Sequence, residues 1–523
     1  MTIRYIAKIV IEAETPLSVG SGQKGLLTDR LIAKDANNLP YIPGTSLCGV
    51  LRHTFSALDE TLTEDLFGFG GDKGHGSRIK VSAAHLIGED GINVVEGLKD
   101  LNFTKGYYSY FNRLPERDHV RMTHKGVADA AGHGKYDEEL VHKGTRFAFE
   151  IELLGSASDK TDWERLLNLF GQPIFRIGAG TRKGFGKIKV VSESSFSKTF
   201  DLTNAADLTS YLNKTSSLNS STENWTKLKL SDAVDLTNWT KYALEIKPKD
   251  FFLFSAGFGD EDADAVSKTE KFFEWSTGKP QLTAQKYWLI PATSLKGAIA
   301  HRVAFYYNKS QDVCINKPAK TGIKTDFDVE KAIETFDFGF NENMLNAPAD
   351  DKIWQELAQH IKTLNYADST LWKDFNNDLD AEVHKLTVTS SNDNKAVQTL
   401  FGYAKDSDVK NNASKSEGKR GCVIINDIYL PVQIEKVFNH TKIDRFTNGT
   451  IDGALFQEKA AHFVGSFTVE IWVENKALED QSVKDALEKT LEDLTKGELQ
   501  LGGNTTKGHG IFLGELLKTD KTA

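Results

Sequence analysis

The N-terminal stretch MTIRYIAKIVIEAE alternates apolar and polar positions at the period of a half-buried strand. Two later apolar runs end at Ile-Pro, in LPYIPGTSLCGVLRHTF (Leu39 to Phe55) and in WLIPATSLKGAIAHRVAF (Trp288 to Phe305). Each predicts a strand that stops at proline, then a helix capped by Thr45 and Ser46 or by Thr293 and Ser294. SDKTDWERLLNLFGQ and LEDQSVKDALEKTLEDLTKG predict two more helices; in the second, Leu478, Val483, Ala486, Leu487 and Leu491 share one face. The order strand, helix, strand, polar arm, strand, helix, Gly-rich loop and strand occurs twice. It is the split βαβ pattern of a ferredoxin-like (RRM-like) fold with additions. The expected fold class is therefore α+β, with two tandem modules.

The letters repeat as well as the pattern. RIGAGTRKGFGKIKV (Arg176 to Val190) and LQLGGNTTKGHGIF (Leu499 to Phe512) share the skeleton G-x-x-T-x-K-G-x-G. Leu-Phe-Gly precedes a polar loop and a strand in both Asp65 to Leu86 and Thr399 to Leu430. Polar, Gly-containing arms lead into alternating strands at Arg117 to Leu153 and at Asn439 to Val473. These landmarks place module 1 at 1–198 and module 2 at 242–517. A Ser/Thr/Asn-rich linker, 199–241, is expected between them. Module 2 is longer by an insertion at about 306–399, whose DVEKAIETFDFGF and DKIWQELAQHIKTL predict a small helical subdomain. Residues 518–523 are expected to be a frayed tail.

Composition narrows the function classes. The chain has 523 residues, 26% of them charged and 39% hydrophobic, as in a soluble globular protein. No apolar run reaches the roughly 20 residues of a membrane helix, and the N-terminus lacks a signal-peptide core, so a cytoplasmic location is expected. Cys48, Cys314 and Cys422 lie far apart with no CxxC, which argues against a disulfide framework or a zinc finger. The net charge of −9 excludes a uniformly basic nucleic-acid coat. Binding to nucleic acid would need local basic patches on an acidic body.

The Gly-rich loops are such patches. Glycine permits sharp turns and close approach to a phosphate, and successive N–H groups make an anion nest. Gly178, Gly180, Thr181, Arg182, Lys183 and Gly184 form the first. Gly502, Gly503, Thr505, Thr506, Lys507 and Gly508 form the second, with Thr506 where the first has Arg182. The competing reading is a tight turn ahead of a core strand. A Walker A loop is excluded by spacing and by the absence of a following helix. The helix starts at Thr45/Ser46 and Thr293/Ser294 offer N–H donors to a phosphate, with Arg52 and Lys296 nearby.

Together these landmarks resemble the RAMP superfamily of CRISPR-associated proteins, and within it the Cas seven-type backbone subunit of type III effector complexes. TPLSVGSG (Thr15 to Gly22), TDRLIAKDANNLPYIPGTSLCGVLR (Thr28 to Arg52), Leu66-Phe67-Gly68 and the Gly-rich loop carry the resemblance. Two such modules in one chain resemble the tandem subunits of III-D-like systems. The resemblance implies that the modules line up along a CRISPR guide RNA, hold a complementary target RNA, and contact a large Cas ten-type subunit and other RAMP subunits. It implies that the Gly-rich loop and the PGTSL helix meet the guide backbone. It also implies that the arm is a thumb that wedges between nucleotides, with Met122 or Val127 in module 1 and Phe446 or Ile451 in module 2 as the wedge.

The same resemblance points to Asp29 as a catalytic residue and a ligand for Mg²⁺ or Mn²⁺. Such a carboxylate holds a hydrated cation or takes the 2′-OH proton, leaving a 2′,3′-cyclic phosphate and a 5′-OH. Asp35 is its local rival. In module 2, aligning KTEKFF with LTDRLI selects Glu270, with Asp262 and Asp264 as other acids in the loop. The leading expectation is thus a metal-dependent, RNA-guided endoribonuclease subunit. An inert guide-RNA scaffold is the alternative. A stand-alone guide-processing ribonuclease would instead use one of His119, His124, His133 and His142, which crowd the first arm.

Overall fold

The computed structural model describes residues 1–26, 28–71, 74–120, 122, 134–231, 236–311, 394–403 and 418–518. In module 1, β1 (Ile3–Ala13) leads to α1 (Gly44–Ser56), α2 (Glu60–Phe67), β2 (Ile79–Val81) and β3 (His85–Leu86). A hairpin of β4 (Glu116–Val120) and β5 (Lys135–Glu139) follows, then β6 (Arg146–Gly155), α3 (Lys160–Asn168) and β7 (Ile188–Val190). β1 is central and antiparallel to β6 on one side and β7 on the other, with β2 outside β6. One face of β1 is wholly apolar, the other mixes Ile6 and Val10 with Arg4, Lys8 and Glu12, and both are covered. Ala7, Ile9 and Ile11 pack with Leu47, Leu51 and Leu166 from α1 and α3, while Val10 packs with Val94 and Leu218 on the other face.

The stretch read as a linker is part of this module. β8 (Phe196–Asp201) runs antiparallel to Ile3–Lys8 of β1, and β9 (Thr226–Lys227) pairs with β8. The boundary at 198 therefore falls inside a strand. Its polar residues are structural. Asn204 caps α4 (Ala205–Leu212) by accepting from the N–H groups of Ala206 and Asp207. Asn219 exchanges hydrogen bonds with the backbone of Val94. Composition suggested a loose connection because these side chains satisfy backbone groups in turns as readily as they meet water.

Module 2 begins at β10 (Trp239–Pro248), three residues before the expected start. It continues through β11 (Ala265–Val266), β12 (Thr269–Glu270), β13 (Phe273–Glu274), β14 (Gln281–Leu282) and β15 (Tyr287–Ile290) to α5 (Ala292–Ser310). After α6 (Lys395–Phe401) come β16 (Gly402–Tyr403), β17 (Lys419–Arg420), β18 (Val423–Ile425) and β19 (Ile428–Pro431). The second hairpin is β20 (Ile434–His440) and β21 (Phe456–His462), followed by β22 (Phe467–Glu474), α7 (Gln481–Lys496) and β23 (Phe512–Lys518). The sheet order β18-β22-β10-β23 repeats that of module 1. Both modules are mixed α+β and compatible with the ferredoxin-like pattern. Val483, Ala486, Leu487 and Leu491 of α7 are buried on the predicted face. The two helical patterns of the insertion, and 519–523 of the tail, lie outside the described residues.

The modules meet through a device with no counterpart elsewhere among the described residues. The β13–β14 hairpin of module 2 inserts Phe273 into the core of module 1. Its ring centroid lies 5.0 Å from that of Tyr107, 5.8 Å from that of Phe111 and 5.4 Å from that of His142. The Phe273 N–H donates to Lys143 O at 3.0 Å, and Trp275 Nε1 donates to Gly144 O at 2.6 Å. Arg117 of β4 is buried against Glu270, Asp427 and Tyr429 of module 2.

Candidate nucleic-acid interface

The loop after the first strand keeps one pairing register in both modules, without a gap. Gly20 bridges Ile32, and Ser255 bridges Ser267. Ala33 N–H donates to Val19 O, and Lys268 N–H to Phe254 O. Arg30 pairs in parallel with Glu138, and Ala265 with Glu458. The residue before each of these last pairs is an exposed aspartate: Asp29 in module 1 and Asp264 in module 2. Each clasps the hairpin beside it. Asp137 N–H donates to Asp29 Oδ2 at 3.3 Å, and Gln457 N–H donates to Asp264 Oδ2 at 2.8 Å.

This register corrects the assignment of Glu270, which is the counterpart of Asp35, not of Asp29. Asp35 accepts from the Asn37 and Leu39 N–H groups and faces His85 at 3.6 Å; Glu270 accepts from Tyr429 Oη at 3.0 Å. Glu270 also receives two bonds of 2.8 Å from Arg117. Burial raises the Glu270 carboxyl, but the Arg117 guanidinium outweighs it and holds the group below its ordinary range. It is a junction anion and does not face solvent.

The Gly-rich loops are held turns. Gly178 and Gly502 have φ of 89° and 91°, and a Cβ on either would sit 2.5 Å from a carbonyl oxygen, of Ser18 or Leu253. The Ala179 and Gly503 N–H groups donate to those same carbonyls, and the Lys183 and Lys507 N–H groups close turns onto Gly180 and Asn504. Much of the expected anion nest is therefore spent within the protein.

What the loops do present is a lysine pinned to the arm. Lys183 Nζ lies 3.1 Å from Glu138 Oε1 of β5, and Lys507 Nζ lies 3.0 Å from Glu458 Oε2 of β21. Both carboxylates are fully buried, at 0% exposure. His119 and Ser18 also face Glu138; His440, His509 and Asn504 face Glu458. Burial would raise the Glu138 carboxyl, yet the His119 hydrogen bond and the Lys183 charge hold it down at about 2. Pattern reading missed these glutamates because YDEEL and FQEKA share one acidic position inside otherwise unlike strands.

Arg182 does not join a phosphate grip. Its Nε donates to Gly421 O at 2.7 Å and its Nη2 to Glu474 Oε1 at 2.9 Å, both in module 2. Burial, then the Arg420 charge, lower it to about 10 in spite of Glu474. Gly184, at φ 97°, lets this loop lie against the start of α5, where its Cβ would stand 2.6 Å from Ala292 Cβ. Gly180, Thr181 and Lys183 are half-buried, whereas Thr506, Lys507 and Gly508 stand exposed.

Neither Thr45 and Ser46 nor Thr293 and Ser294 cap their helices. The N-caps are Pro43 and Pro291, with no side-chain cap bond, so these hydroxyls lie in the first turn. The extended proline launches each helix two residues earlier than a cap at Thr45 or Thr293 would. At α5 the Ala292 N–H donates to Asp427 Oδ1 at 2.8 Å. Arg52 is exposed on α1. Lys296 is half-buried on α5; burial, then the Lys183 and Arg182 charges, push its ammonium down to about 8. Lys183 and Arg182 are already held by Glu138 and Glu474, and Lys296 Nζ donates to Phe401 O at 3.4 Å.

In the arms, Met122, Phe446 and Ile451 are exposed, Phe446 at 97%. Val127, His124 and His133 lie outside the described residues. His142 is half-buried against Phe273, and burial lowers its pKa. Among the described residues no group of three His, Cys, Asp or Glu side chains could hold a metal ion. None of the described helices is long and apolar enough to cross a membrane.

Fold and site together define a tandem α+β protein in which two copies of one fold each lock a lysine-bearing Gly-rich loop to a projecting hairpin. The chain belongs to the RAMP superfamily: the family model matches residues 10–189 and again 275–512, one match in each module and together more than half of the chain. The superfamily is one of CRISPR-associated, RNA-binding proteins. The second match begins after Asp264, so the ungapped loop register extends the repeat beyond it. No curated protein matches the chain.

Proposed function

We propose that the chain is a guide-RNA-binding backbone subunit of a type III, III-D-like CRISPR effector. It holds the guide–target duplex and cuts target RNA beside Asp29 and beside Asp264. The observation that carries this reading is the repeated corner where an exposed aspartate meets the base of an exposed hairpin. An RNA strand split by the hairpin would pass that carboxylate once per module.

The residues at the first corner suit a hydrated divalent cation. Asp29 N–H donates to Asp137 Oδ1 at 2.7 Å, which sets two carboxyl-bearing residues side by side. Mg²⁺ is commonly held by one or two carboxylates plus substrate phosphate. Mg²⁺ or Mn²⁺ there would supply charge to offset that developing on the scissile phosphate. Asp29 would hold it or accept the 2′-OH proton, while exposed Lys24 and Arg30 attract the strand. In module 2, Gln457 replaces Asp137, and Lys459 ties down Asp260 and Asp262 at 2.7 Å each. Asp264 is thus left as the acid at the hairpin base.

The alternative reading is an inert guide-RNA scaffold, which predicts target binding with no cut that depends on either aspartate. The stand-alone His nuclease has less support, since His119 is buried against Glu138 and His142 is half-buried against Phe273. The deciding experiment assembles the effector with guide RNA, labelled target and Mg²⁺ or Mn²⁺. Asp29→Ala and Asp264→Ala should each erase one cut by a factor of 10² or more while target binding persists. Unchanged cuts with retained binding would make the chain a scaffold.

A further inference from the structure

The two corners share an aspartate and a hairpin, but not the side chains around them. The parallel pairs of Arg30 with Glu138 and of Ala265 with Glu458 set the register between the modules. Phe456 then stands for Tyr136, Gln457 for Asp137 and Ala265 for Arg30. Within the hairpins, Glu116 pairs with Glu139 and Val437 with Lys459, so Val437 stands for Glu116. In module 1 the Thr28 hydroxyl donates to Glu116 Oε1 at 3.2 Å, a bond that Ala263 and Val437 cannot form.

The difference that bears on chemistry is Arg30. It is exposed, and its guanidinium carbon lies 5.4 Å from the centroid of the Tyr136 ring. His119 stacks on the same ring at 4.8 Å and is itself held by Glu138 at 2.8 Å, so the platform for Arg30 is fixed from the core. Among the described residues Arg30 makes no ion pair, whereas Lys183 is bound to Glu138 and Lys34 to Glu139. The Asp29 carboxylate accepts from the N–H of Asp137, the next residue of the same strand. Adjacent positions of β5 thus seat an unpaired guanidinium and an exposed carboxylate. A guanidinium laid on an aromatic ring keeps its planar fork of donors free for a phosphate.

Module 2 has the ring without that cation. Ala265 carries no charge, and Lys507 lies 5.1 Å from the Phe456 ring centroid but is bound to Glu458, as Lys183 is to Glu138. Lys459 is bound to Asp260 and Asp262. We propose that Arg30, seated on Tyr136, is a catalytic residue of the first corner, and that the second corner cuts more slowly because Ala265 takes its place. In the step, the 2′-oxygen bonds to phosphorus and its proton passes to Asp29. The bond from phosphorus to the 5′-oxygen breaks, and that oxygen takes a proton from water, to which Asp29 returns its own. Charge builds on the two non-bridging oxygens as the fifth bond forms, and a guanidinium that donates to them lowers the barrier. Tyr136 is a positioning residue, since it acts through Arg30. The proposal rests on the reading of Asp29 and Asp264 as cutting acids, and it adds the order in which their cuts appear.

The test uses the effector assembled on guide RNA with Mg²⁺ and a saturating, labelled target that has the same nucleotides at both cut positions. A second target, 2′-deoxy at those positions and therefore uncuttable, reports affinity alone. In single turnovers the cut lost with Asp29→Ala should form at least about tenfold faster than the cut lost with Asp264→Ala. Arg30→Ala should slow the first cut about 10²-fold at saturation while affinity for the deoxy target stays within about twofold. Ala265→Arg should speed the second cut. Tyr136→Phe should restore the rate that Tyr136→Ala loses, because the ring and not the hydroxyl seats the guanidinium. Equal wild-type rates, an Arg30→Ala loss confined to affinity, or no gain from Ala265→Arg would each overturn the proposal. A Tyr136→Phe variant as slow as Tyr136→Ala would move the role to the hydroxyl and overturn it too. If neither aspartate variant changes any cut while the target stays bound, the cleavage reading itself fails. If the aspartate variants act and Arg30→Ala does not, only this proposal fails.

Discussion

Lys183 and Glu138 lie 3.1 Å apart, and the contact fastens the Gly-rich loop of module 1 to the second strand of its arm. The same bolt recurs in module 2 between Lys507 and Glu458 at 3.0 Å. A loop expected to grip RNA alone is in fact coupled to the hairpin that projects beside it, so displacement of one is felt by the other.

Replacing Glu138 by Gln should loosen that coupling. The folded carboxyl is held at about 2 against an ordinary 4.5, so the stability it contributes is fully present above pH 4.5 and lost as pH falls toward 2. Wild type should lose on the order of 3 kcal/mol across that window. Glu138→Gln should start less stable at pH 7 and show a flatter acid limb. Urea melts at several pH values measure both, and parallel acid limbs would show that the pair does not bear on folding.

Arg117→Ala leaves Asp427 and Glu270 buried without their cation. A loss of about 3–5 kcal/mol is expected, together with faster amide exchange in β13 and β14 as the plug loosens. Glu270→Gln should also lower the melting temperature without erasing a cut of its own. A cut lost specifically with Glu270→Gln would restore that residue as a catalytic acid.

Lys296 gives a pH signature. Its folded pKa of about 8 lies below the ordinary 10.5, so the free protein gains stability as pH rises from about 8 to about 10.5, where only the unfolded chain holds the proton. A phosphate beside Lys296 prefers the charged form, so RNA affinity should fall as pH climbs through 8. Lys296→Gln should flatten that fall and reduce the salt slope by about one. Matching pH profiles for the two proteins would place the ammonium away from the RNA.

Gly184 and Gly508 occupy equivalent turns with different surroundings. Both have positive φ, 97° and 92°, but a Cβ at Gly184 meets Ala292 whereas one at Gly508 meets nothing within 4 Å. Gly508→Ala should cost about 1 kcal/mol from backbone strain alone. Gly184→Ala should cost more and separate the modules, read as a larger drop in melting temperature. Equal drops would mean that the junction yields easily at this point.

Much of the fold was legible because periodicity is local. The strand at Ile3–Ala13, the apolar face of α7 and the two Gly-rich skeletons could be read directly. What failed were pairings set by tertiary contact. KTEKFF resembles LTDRLI letter by letter, yet the register of Gly257 with Gly22, both with positive φ, puts Asp264 over Asp29. Arg182 looked like part of a phosphate loop because a sequence does not disclose that Glu474 faces it. The Ser/Thr/Asn stretch looked loose because turn-forming side chains read alike whether they face water or backbone.

The plug at Phe273 also bears on how the protein is made. The first module is encoded first, but its aromatic socket at Tyr107, Phe111 and His142 is filled by Phe273, which is translated after β9, the last strand of the module's own sheet. During synthesis the N-terminal half must therefore wait, with an open apolar hole, for the second half to emerge from the ribosome. A gene split between the two modules would leave that hole unfilled in one product and a bare phenylalanine hairpin on the other.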